Sequence, residues 1–76
     1  GIIMGSTSDL EIMEEAASIL KGFGIQYDMT ISSGHRSPER TINYASTARE
    51  RGLKVIVVGA GAAAHLAGII AALTTL

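Results

Sequence analysis

An α/β fold on a parallel sheet is what this sequence predicts, and three observations carry the prediction. Short apolar runs alternate with stretches of helical periodicity, and the alternation repeats three times with no linker between repeats. Each apolar run ends in a small-residue loop that leads into the next helix. The composition, 47% hydrophobic and 17% charged, is that of a globular chain and leaves no segment to be disordered. Strand–helix alternation of this kind gives parallel strands joined by right-handed crossovers.

The first unit opens on Ile2-Ile3-Met4, an apolar run that stops at Gly5. The loop "GSTS" follows, and Ser8 with Glu11 reads as a capping box. Leu10, Met13, Ala16, Ala17 and Leu20 then recur at helical spacing, opposite Glu11, Glu14, Glu15 and Lys21. Gly22 and Gly24 end that helix. The second unit has a strand from near Tyr27 through Met29 and Ile31, then the loop "SSGHR". Ser37 is a good N-cap and Pro38 suits the first helical position. Ile42, Ala45 and Ala48 are the expected buried stripe, and Gly52 the stop. In the third unit, Val55-Ile56-Val57-Val58 reads as a strand buried on both faces. "GAGAAAH" follows, then a helix over 66–76 whose large residues are Leu66, Ile69, Ile70 and Leu73. That helix has no charged face, so it is expected to be buried in a larger fold or against another subunit.

Residues 1–76 are expected to form a single α/β domain that is itself the first half of a larger one. Three strands are few for a doubly wound sheet, and at least two more are expected in the whole protein. A domain this small buries limited surface.

Several function classes are disfavoured. Formal net charge is -1 and there is no basic run, so no nucleic-acid partner is expected. With no Cys, disulfides and thiolate metal sites are excluded. No basic leader-type segment precedes the first strand, and a cytoplasmic setting is expected. Residues 55–76 lack Asp, Glu, Lys and Arg and are long enough to span a bilayer. Gly59-Ala60-Gly61 breaks that run where a loop belongs, so no membrane association is expected.

In a parallel sheet all three strand-to-helix loops share the carboxyl edge, where ligands bind at the point of strand-order reversal. In flavodoxin-like order, strand 1 lies between strands 2 and 3. His35 and Arg36 then flank Ser6 and Ser8 on one side, and Gly59, Ala60, Gly61 and His65 flank them on the other. The serine loop and helix N-terminus can take an anion, although an ordinary capped turn uses the same residues. Asp9 can complement the helix dipole or accept from ligand hydroxyls. Arg36 can grip a phosphate or carboxylate bidentately. His35 titrates near neutrality and can give and take protons; the alternative is a solvated loop residue. His65 is expected to be structural. Gly59-x-Gly61-x-x-Ala64 also fits the dinucleotide fingerprint, but that fingerprint normally opens the first βα unit.

Read together, "GIIMGSTSD", "SSGHRSPER" and "VIVVGAGAAAHLAG" resemble the N5-carboxyaminoimidazole ribonucleotide mutases, the catalytic-subunit family of phosphoribosylaminoimidazole carboxylase. The resemblance covers the whole chain and the N-terminal half of a family member. It implies a flavodoxin-like three-layer sandwich, a homo-octamer, and a purine-biosynthetic isomerase that needs no cofactor, metal or ATP. The implied reaction moves a carboxylate from N5 to C4 of the imidazole ring through carbon dioxide. His35 is the implied proton shuttle. Ser6, Asp9 and Arg36 hold the ribonucleotide, with phosphate near Ser8 and Arg36 and ribose near Asp9. The backbone of Gly59, Ala60 and Gly61 approaches the base and carbon dioxide, with His65 nearby. His35-Arg36 with "GAGAAAH" resembles the mutase side rather than the animal-type enzymes that use carbon dioxide directly. The chain departs from the family pattern at Gly34, Ala62 and Ala67, where Ala, Gly and Pro are usual. Gly34 loosens its loop by about 0.5–1 kcal/mol. A non-catalytic nucleotide- or phosphate-binding module is the alternative reading.

Overall fold

The computed structural model describes residues 1–33, 36–61 and 65–76. Its strands are β1 (Ile2–Met4), β2 (Met29–Ile31) and β3 (Val57–Gly59). Its helices are α1 (Leu10–Gly22), α2 (Pro38–Thr47) and α3 (Leu66–Leu73), with a 3-10 turn at Thr7–Asp9 ahead of α1. The strands form one parallel sheet in the order β2-β1-β3, with Ile3 level with Thr30 and Val58. This is the expected flavodoxin-like arrangement. Among the described residues, no helix is long and apolar enough to cross a membrane.

The central strand is the hub of the core. Ile2, Ile3 and Met4 are fully buried, and alternation along a strand sends their side chains to opposite faces. Ile2 and Met4 pack with Met13 and Ala17 of α1. Ile3 packs with Tyr44 and Ala45 of α2 and with Leu66 and Ile70 of α3. The sheet therefore has α1 on one face and α2 with α3 on the other, which makes the three layers.

Both crossovers before β2 and β3 close in the same way. Gly24 (φ 72) and Gly52 (φ 85) are left-handed. The Gly24 and Ile25 amides donate to the Lys21 and Leu20 carbonyls, each at 3.0 Å. The Gly52 and Leu53 amides donate to the Arg49 and Ala48 carbonyls at 3.0 and 3.1 Å. These paired bonds are the Schellman termination, which needs a residue without Cβ strain.

Five local expectations are corrected. Ser8 does not cap α1: it lies inside the 3-10 turn, its hydroxyl is 2.6 Å from that of Ser6, and the extended residue that opens the helical stretch is Ser6. Ser37 does stand at the N-cap position of α2, but its side chain makes no capping bond. The buried face of α2 is Thr41, Tyr44, Ala45 and Ala48, whereas Ile42 is 45% exposed. β3 is not buried on both faces. Ile56 and Val58 pack on the α2–α3 side, but Val55 and Val57 are exposed. Val57 is level with Ile2 and so faces the α1 side, where a lone helix covers β1 and leaves this edge strand open. Finally, α3 stops at Leu73 because Thr74 is extended (φ -147, ψ 157) and β-branched threonines are poor helix formers.

Candidate functional site

The three strand-to-helix loops meet at the carboxyl edge, and backbone bonds lock them side by side. The Gly5 amide donates to the Gly59 carbonyl at 3.2 Å, and the Ser32 amide donates to the Met4 carbonyl at 2.8 Å. Loop 1 is thereby held between the other two by the same ladder that builds the sheet.

Between loops 1 and 2 lies a cleft of ≈ 260 Å³ whose polar lining includes Ser6, Thr7, Ser33, Arg36, Ser37 and Arg40. Among the described residues no carboxylate lines it. Among the described residues the Arg36 and Arg40 guanidiniums have no ion-pair partner, the one pair within 4 Å being Arg51–Asp28 at 3.7 Å on the opposite edge. The cleft thus combines two uncompensated cations with several hydroxyls. The Thr7–Asp9 turn adds its first amides, which have no partner within a helix and carry partial positive charge. An arrangement of this kind suits an anion with several oxygens, such as a phosphate monoester.

The residues singled out from sequence divide clearly. Ser6 and Arg36 line the cleft, and Ser8 reaches it through the hydroxyl contact with Ser6. Asp9 is half-buried at the N-cap position of α1 and does not line the cleft. Gly59 has a packing reason to lack a side chain, because a Cβ there would sit 2.9 Å from Met13 Cγ. A Cβ on Gly61 would meet nothing within 4 Å among the described residues. Ala60 packs against the Ile3 cluster. His65 is exposed at the N-cap position of α3. His35, with Gly34 and Ala62, lies outside the described residues. Arg40 is the cleft residue that motif reading passes over. It follows Arg36 by four positions but stands inside α2, whereas Arg36 precedes the helix.

A larger hollow of ≈ 330 Å³ opens at the amino edge, lined largely by apolar groups such as Leu20, Ile25, Tyr27 and Val57. Among the described residues Lys54 is its one charged side chain. It lacks converging acid–base groups, and the smaller cleft is the better candidate site.

Fold and cleft together define a parallel α/β protein with a cationic, hydroxyl-lined carboxyl edge. The chain belongs to the AIR carboxylase family, whose model matches residues 1–76 in full. It is 63% identical over all 76 residues to an N5-carboxyaminoimidazole ribonucleotide mutase of Pyrococcus horikoshii, covering 43% of that protein. It is 58% identical over the same span to the mutase of Thermotoga maritima, covering 44% of it. A phosphoribosylaminoimidazole carboxylase of Schizosaccharomyces pombe is also 58% identical over 76 residues, of which the chain covers 14%. The chain therefore spans less than half the length of these relatives.

Proposed function

We infer that the protein carrying this chain is a purine-biosynthetic mutase. It converts N5-carboxyaminoimidazole ribonucleotide into 4-carboxy-5-aminoimidazole ribonucleotide. The observation that carries the reading is the cationic, hydroxyl-lined cleft at the carboxyl edge, in a chain whose relatives bear the mutase name.

In this reading the 5′-phosphate sits among Ser6, Ser8, Arg36 and Arg40, and Asp9 accepts from ribose. His35 follows Ser33 and precedes Arg36 in sequence, and both of these line the cleft. The C–N bond to the carboxylate breaks, releasing carbon dioxide, and the imidazolium of His35 protonates the nitrogen. C4 then attacks the carbon dioxide, and neutral His35 removes the C4 proton. An imidazole can both give and take a proton, so one histidine serves both steps. Gly59, Ala60 and Gly61 border the base and carbon dioxide, with His65 beside them. A homo-octamer in a cytoplasmic setting completes the proposal.

The test is steady-state kinetics of the full-length protein with N5-carboxyaminoimidazole ribonucleotide. Loss of a charge-assisted contact costs about 1.5–3 kcal/mol, so Arg36→Ala should raise KM by roughly 10–150-fold and change kcat little. Arg40→Ala should shift KM in the same direction. An unchanged KM in both variants contradicts the phosphate assignment.

A further inference from the structure

At the floor of the cleft, which Ser32 itself lines, two buried hydroxyls connect the end of β2 to α2. Ser32 is 2% exposed and Thr41 0%, and their side-chain oxygens lie 2.7 Å apart. Thr41 Oγ1 also lies 3.1 Å from the Ser37 carbonyl oxygen, one turn earlier on the helix. Each hydroxyl carries a single proton. The Ser37 carbonyl can only accept, so the Thr41 proton points to it. Ser32 must then donate to Thr41, and the relay has one direction.

Both ends of this relay are anchored. The Ser32 amide extends the sheet through the Met4 carbonyl at 2.8 Å. The Ser37 amide donates to the Ser33 carbonyl at 2.8 Å, and the Arg36 amide donates to Ser33 Oγ at 3.1 Å. The segment that carries the candidate site residues is thus clamped at its base to both a strand and a helix.

We propose that Ser32 and Thr41 are positioning residues, whose relay fixes the first turn of α2 against β2 and so sets where Arg36 and Arg40 stand in the cleft. An apolar pair of similar size fills the same space but imposes no direction, whereas a fully satisfied buried polar network specifies one arrangement. This inference rests on reading the cleft as the ribonucleotide site.

The test uses the full-length protein and the double variant Ser32→Ala/Thr41→Val. It removes both hydroxyls, so neither partner is left buried and unsatisfied. Thr41→Ser, which keeps the hydroxyl, is the rescue control. Amide hydrogen exchange at Arg36 and Ser37 should become about tenfold faster in the double variant. Exchange at Ile3 and Met4 should be unchanged, and Thr41→Ser should restore the parent rates. KM for N5-carboxyaminoimidazole ribonucleotide should rise by about tenfold with an unchanged melting temperature. Parent-like exchange at Arg36 and Ser37 in the double variant overturns the proposal. Faster exchange with a parental KM overturns it too, since the relay would then be structural only. A parent protein that exchanges as expected but turns over no substrate refutes the mutase reading instead and leaves the relay in place.

Discussion

On α2 the Tyr44 hydroxyl donates to Asp28 Oδ1 at 3.1 Å, while the Arg51 guanidinium lies 4.7 Å above the same ring and donates to the Tyr44 carbonyl at 2.7 Å. Asp28 precedes β2 and Arg51 precedes β3, so one side chain joins the entries to both outer strands. Burial pushes the Tyr44 phenol up to about 12, with the Asp28 charge and hydrogen bond acting in the same direction and Arg51 against them. A raised native pKa means that stability is full below the ordinary phenol pKa near 10 and is lost as pH rises from about 10 to about 12. The urea midpoint of the parent should therefore fall more steeply across that window than that of Tyr44→Phe; equal slopes contradict the assignment. Periodicity could not single out this residue. It selected Ile42, Ala45 and Ala48 because it counts apolar side chains, whereas the buried face includes Thr41 and Tyr44. Their polar tips are satisfied by Ser32 and Asp28, nine and sixteen positions away, and only the fold reveals such partners.

Among the elements, α2 and α3 start where the sequence places them, at Pro38 and Leu66, but stop earlier than expected, at Thr47 and Leu73. Gly24 closes α1 directly, whereas α2 ends at Thr47 and Gly52 closes the turn that follows it; both glycines are left-handed, a conformation that excludes nearly every other residue. The start of α1 was misread because Ser6, Thr7 and Ser8 are chemically similar candidates, and choosing among them requires the backbone to be known. The Gly52 site gives a clean prediction. An added Cβ meets nothing within 4 Å, so the cost of Gly52→Ala is that of the left-handed backbone alone, about 1–2 kcal/mol. Gly22, the last residue of α1, with a right-handed backbone and open space around it among the described residues, is the control. There, replacement by Ala should stabilise by roughly 0.5–1 kcal/mol. Denaturant unfolding of the two variants checks both signs, and a neutral Gly52→Ala would contradict the Schellman account.

At the scale of the whole molecule, the strand order and the shared loop edge were legible because alternation and handedness leave few topologies open. Ser6 and Arg36 lie beside one cleft for the same reason. The open face of β3 was not legible: four β-branched residues look alike whether or not a further layer covers them. Val55 and Val57, and Ile12, Ile19 and Phe23 on and just after α1, are large apolar side chains left exposed. The proposed mutase reading gives the proton shuttle to His35. The most direct measurement is conversion of N5-carboxyaminoimidazole ribonucleotide by the full-length protein and by His35→Asn. The account predicts turnover in the parent and a fall in kcat of about 100-fold or more in the variant, with substrate binding retained. Parent-like kcat in His35→Asn would contradict it.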